Sequence, residues 1–143
     1  MKAILDGLTH NQAFTSPEAD DPRLRGRTYA IPFETVWQGS VGLGGGGLHG
    51  WSIESADDQQ GIIQAAVRAR LLAPEVVVRI DIGLDENAQT RVDLSATART
   101  ERGDFGRSRR LVRSFLERLD RKLGADPSQI LEPQSPHLGQ KWS

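Results

Sequence analysis

The order of apolar and polar positions divides the chain into strands and helices. From Gln89 onward the pattern alternates: Val92, Leu94, Ala96 and Ala98 are apolar, with Arg91, Asp93, Ser95, Thr97 and Arg99 polar between them. Period two turns one set toward a core and the other toward water, which predicts a strand with one buried face. A polar, glycine-bearing link runs from Thr100 to Asp104. The period then becomes helical, with Leu111, Phe115, Leu119 and Leu123 four apart and Val112 and Leu116 beside them. A strand handing over to a long amphipathic helix predicts a helix lying back across a sheet.

Upstream, Ile63, Ala65, Val67, Ala69 and Leu71 alternate with Gln64, Arg68 and Arg70, and Val76, Val78, Ile80 and Ile82 form the next inward face. Trp51, Ile53 and Ser55 open an earlier strand. Asp57 to Gly61 and Asp85-Glu86-Asn87 supply the turns. With the second turn centred on Glu86, Ile82 faces Thr90, and Asp81 and Arg79 fall opposite Arg91 and Asp93, a register that matches apolar and charged faces together. Gly26 to Ile31 reads as a short strand. Pro32 suits the start of a helix carrying Phe33, Val36, Trp37 and Val41, which Gly44 to Gly47 end as a flexible link.

These elements predict residues 26–123 as a single α+β domain: an antiparallel β-meander of four to five strands with two helices packed on one face, a two-layer sandwich. Residues 1–25 read as a loosely attached N-terminal arm, and residues 124–143, with Pro127, Pro133 and Pro136, as an irregular C-terminal tail.

Composition narrows the function classes. A chain of 143 residues suits one domain with a sizeable core. Cysteine is absent, which excludes disulfides, thiolate catalysis and thiolate-held metals. The formal net charge of −1 gives no global attraction to nucleic acid or membrane. No apolar run approaches the ~20 residues that span a bilayer. Met1 to Asn11 is a poor signal peptide, so the expected location is the cytoplasm.

Most candidate chemistry is weak. The glycine run Gly42 to Gly47 lacks the lysine and hydroxyl of a phosphate loop and leads to a strand. His10, His49 and His137 are dispersed without ligand spacing, and no metal or other cofactor is expected. Asp57 and Asp58 fit a hairpin turn better than an acid–base pair. Ala65, Ala69, Ala96 and Ala98 on the inner face either let a helix approach closely or leave an apolar pocket.

The basic cluster Arg99, Arg102, Arg107, Arg109, Arg110 and Arg113 stands out. Several of these fall in the first turns of the last helix, where positive charge opposes the macrodipole. Either nearby acids such as Glu101 and Asp104 compensate them, with Asp104 as N-cap, or an anion is bound, or they form a solvated face. The candidate ligand-binding residues are Arg99, Arg102, Asp104, Arg107 and Arg109.

Trp37 in the first helix, Gly50-Trp51-x-Ile53 in the next strand and Arg99-x-x-Arg102-x-Asp104-x-Gly106 at the strand-to-helix junction carry a family likeness. Over roughly Arg23 to Leu123 the chain resembles the bacterial family named domain of unknown function 1499. The resemblance implies a small domain, often tied to a membrane anchor or lipoprotein signal, with no established activity. The arrangement is also similar to helix-grip domains of envelope-assembly lipoproteins, which are binding modules.

The expected function is therefore a small binding or scaffold domain. Its ligand would be small, anionic or lipid-like, or its partner a protein, with peripheral contact to an anionic membrane surface. The alternative is a small pocket enzyme, hydrolase or cyclase-like, using His49, Asp57 or Asp104 between helix and sheet. Specific nucleic-acid binding is not expected, because Glu117 and Asp120 interrupt the basic run.

Overall fold

Alternation is cleanest where the sheet is deepest. β5 (Val76–Leu84) and β6 (Thr90–Ala98) form its central hairpin. Val76, Val78, Ile80 and Ile82 face inward beside Val92, Leu94, Ala96 and Ala98, all buried, while Arg79, Asp81, Arg91 and Asp93 lie on the opposite face. The computed structural model describes residues 12–16, 19, 21, 24–68, 75–98 and 105–131.

β4 (Ile62–Val67) pairs with β5, and β3 (Trp51–Asp57) pairs with β4, all antiparallel. On the far side of β6 two short strands share one edge: β1 (Gln12–Phe14) lies against Ser95 to Thr97, and β2 (Arg27–Tyr29) against Thr90 to Val92. The sheet thus has six strands, slightly more than the four to five expected, because part of the segment read as an arm is hydrogen-bonded into it. Between the two short strands the hydroxyl of Thr15 accepts from the Leu94 amide at 3.1 Å and donates to Asp93 at 2.6 Å. A side chain there does what a ladder carbonyl would do.

The sheet has two managed edges. Residues 129–131 cover β2: Ala30 donates its amide to the Gln129 carbonyl at 2.8 Å, and Ile130 forms a bridge with Tyr29. Along β3 the register shifts between Ile53 and Ser55, a bulge that breaks the regular row of edge groups.

Among the described residues two α-helices cover the inner face, α1 (Phe33–Gly42) and α2 (Phe105–Leu123). Val112, Phe115, Leu116 and Leu119 of α2 are fully buried, and Val36 and Trp37 of α1 join the same core. Phe115 stacks on Trp51 with ring centroids 5.3 Å apart, tying α2 to the distant strand β3. The helices meet at Gly39, where a Cβ would lie 3.0 Å from a Leu123 methyl, so the glycine that weakens α1 also lets α2 approach.

The glycine run is more ordered than the flexible link expected of it. Leu43–Gly47 follows α1 as a kinked turn in which Gly45 and Gly46 leave helical geometry, Gly46 at φ +134°, and the Leu48 amide closes it on the Leu43 carbonyl at 3.0 Å. The positions of Gly44 and Gly45 leave only van der Waals distance, 3.5 Å, between an added Cβ and Ile53. The run is a contact surface for β3.

The β5–β6 register also differs from the expected one. Ile82 pairs with Val92, Arg79 with Ser95, and Asp81 with Asp93. The loop is centred on Asn87, and Ala88 adopts φ +62° to close it. That is a three-residue connection ending in a left-handed residue, two positions out of step with a turn centred on Glu86. A two-residue shift keeps every side chain on its face, which is why the hydrophobic pattern could not detect it. The like charges brought opposite each other are neutralised along their own strands, by Arg79 on Asp81 at 3.0 Å and Arg91 on Asp93 at 2.7 Å.

Candidate functional site

The start of α2 is the region singled out by charge. Arg99, Arg102 and Asp104 lie outside the described residues; Arg107 and Arg109 lie within them, in the first turns of the helix. No acid occupies the first turn of α2 itself. Glu101, like Asp104, lies outside the described residues; among the described residues an acid the sequence did not point to, Asp21, in the excursion between β1 and β2, pairs with this turn. Its carboxylate receives Arg109 at 3.2 Å and Arg113 at 3.6 Å. Arg109 donates to it across 88 residues of chain, which is why local spacing gave no sign of the pair.

Arg107 and Arg109 are both half-buried, so part of their charge is held against the protein. Ser108, between them, is fully buried, and its hydroxyl has no hydrogen-bond partner among the described residues.

Further along the helix, Asp120 does not interrupt the basic face as its place in the sequence implied. It points toward the sheet, where Tyr29 donates its hydroxyl at 2.6 Å and Arg27 donates from Nε at 3.1 Å. Tyr29 is fully buried, and Arg27 is 11% exposed. Burial, then the hydrogen bond to Asp120 and its negative charge, push the phenol above its ordinary pKa, with Arg27 opposing.

The residues of an acid–base reading do not converge. His49 precedes β3 and Asp57 ends it, so the strand sets them about 20 Å apart. Both are exposed, and the Asp57 carboxylate accepts the amides of Gln59 at 3.0 Å and Gln60 at 3.2 Å within its own turn. Asp104 lies outside the described residues. Ala65, Ala96 and Ala98 are all buried; Ala69 lies outside the described residues. An open groove of about 310 Å³ runs over the hairpin end of the sheet, lined by Gln60, Asp81, Leu84, Arg91 and Asp93 among others. Its charged groups are largely spent on one another through the pairs of Arg79 with Asp81 and Arg91 with Asp93.

Among the described residues no group of three or more histidine, cysteine or acidic side chains is placed to hold a metal ion. None of the helices described is long and apolar enough to cross a membrane. No protein-family model matches the chain, and no curated protein is similar to it. The geometry of the α2 start therefore carries the functional argument alone.

Proposed function

We propose that the chain is a non-catalytic binding module that holds an anionic ligand or partner at the junction from Arg99 to Arg113, with Arg99, Arg102, Asp104, Arg107 and Arg109 as the contact residues. The resemblance to domain of unknown function 1499 belongs to the same proposal, as does a cytoplasmic setting. The observation that carries the reading is the placement of Arg107, Arg109 and Arg110 in the first turns of α2, at the positive end of its dipole, with no acid in the first turn of the helix itself. Cations there raise the energy of the folded state unless a negative charge is supplied. Asp21 supplies one carboxylate, shared by Arg109 and Arg113.

A thermal-shift titration with inorganic phosphate and pyrophosphate tests this. Saturating ligand stabilises by mass action, by about 2.7 kcal/mol at a hundredfold excess over Kd, which for a domain of this size corresponds to a Tm increase of roughly 5–11 °C. The Arg102→Ala/Arg107→Ala variant should keep its circular dichroism spectrum and lose the shift. A Tm that does not respond to either anion defeats the proposal.

A further inference from the structure

We propose that the solvent face of α2 is a docking surface for the phosphodiester backbone of a nucleic-acid duplex, bound without regard to base sequence. This rests on the anion-binding reading above and extends it from the first turns to the whole helix. On the helical wheel Arg107, Arg110, Arg118 and Arg121 fall within one stripe opposite the buried side. Arg110, Arg118 and Arg121 are exposed, and among the described residues no carboxylate pairs with any of them. From Arg107 to Arg121 the stripe runs roughly 21 Å at the helical rise.

The acids on α2 would weaken such a surface, and the fold removes one of them. Asp120 is drawn under the helix by Tyr29 and Arg27, leaving Glu117 as the acid on the exposed side. With Asp120 turned inward, the exposed side of α2 carries Arg110, Arg118 and Arg121 against the single acid Glu117, a cationic excess.

The chemistry of the row favours phosphate over a bilayer. Its cations are arginines, whose planar forks match phosphate oxygens in pairs. The apolar side of α2 is spent on the sheet, with Val112, Phe115, Leu116 and Leu119 fully buried and Leu111 and Leu123 packed against the same core, so little apolar surface is left for insertion among acyl chains. Leu84, the large apolar side chain that is exposed at 61%, belongs to the β5–β6 hairpin and not to this helix. None of the four stripe residues is aromatic, which suits backbone contact and not base stacking. A duplex carries a charge about every 1.7 Å of its axis, so a straight row of cations meets phosphates along its full length.

The test is fluorescence anisotropy with the full chain and a labelled duplex of about 20 base pairs of arbitrary sequence, over a range of salt. Four phosphate contacts predict a slope of log K against log salt of about −3.6, a loss of about 10²-fold between 50 and 200 mM. The Arg110→Gln/Arg118→Gln/Arg121→Gln variant should keep its Tm, lose at least about tenfold in affinity at 100 mM salt and lower the slope by about 3. An unrelated duplex sequence should bind within about twofold of the first.

Binding that the triple variant leaves unchanged overturns the proposal. So does binding to vesicles of mixed phosphatidylcholine and phosphatidylserine in place of the duplex. Stabilisation by phosphate with no duplex binding at low salt also overturns it while leaving the anion site standing. Loss of both removes the two readings together.

Discussion

Asp120 shows how one residue can read differently along the chain and in the fold. In sequence it is an acid among arginines; in the structure its carboxylate is the joint between α2 and β2, accepting from Tyr29 and Arg27. Those partners stand 91 and 93 residues away, so periodicity in the helix could not reveal them. Asp120 is 21% exposed and Arg27 11%, which places the pair where removing one member strands the other. Asp120→Ala should cost about 3 kcal/mol in chemical denaturation, because an arginine and a phenol are left buried without their acceptor. Tyr29→Phe, which leaves the ion pair in place, should cost about 1 kcal/mol. Similar losses for the two variants would show that Arg27 gains little from Asp120. Asp21 repeats the lesson at the other end of α2, where a residue in an aperiodic stretch meets Arg109 and Arg113.

At the scale of elements, the strands and helices were legible because their periods are strong. The alternation of β5 and β6 and the spacing of four in α2 fixed which side chains are buried. The pairing of β5 with β6 was not legible, since a displacement of two residues satisfies the same pattern and the choice belongs to the turn. Ala88 decides it by taking a left-handed conformation that alanine adopts at a cost. Ala88→Gly should therefore raise stability by about 0.5–1 kcal/mol, a gain of roughly 2–4 °C in Tm, without moving the register. A lower Tm would mean that the Ala88 methyl makes contacts worth more than the strain. β1 was hidden for a different reason: three residues with one inward side chain, Ala13, show no period, and only pairing with Ser95 to Thr97 makes them a strand.

For the molecule as a whole, the two-layer α+β architecture followed from the pattern, whereas the charge arrangement of the candidate site depends on contacts made in three dimensions. The basic residues Arg107 and Arg109 were visible in the sequence; their sharing of the surface with Asp21 and the withdrawal of Asp120 were not. Tyr29 offers a global measurement, because it is the chain's single tyrosine and is fully buried. Its phenol is held above the ordinary value of 10.0, so the protonated form is favoured by folding. The sign follows directly: this contribution is complete below pH 10 and is lost as the pH rises beyond it. Stability should then fall by up to about 1.4 kcal/mol per pH unit on this account. Tyrosinate absorbance should appear together with unfolding, as reported by tryptophan fluorescence. Absorbance rising near pH 10 in the still-folded protein would show the phenol to be accessible.

The split edge of the sheet has a consequence for how the chain reaches this state. The hairpins from β3 to β6 join neighbours in sequence, whereas Thr15 reaches Asp93 across 78 residues. Closing so long a loop costs entropy that only a template already formed can repay. The meander is thus the early-assembling part of the molecule and β1 the late arrival, zipping onto β6 after its partner exists. The same order holds in reverse under native conditions: the amides of β1 should exchange with solvent through local peeling, long before those of β5 are released by global opening.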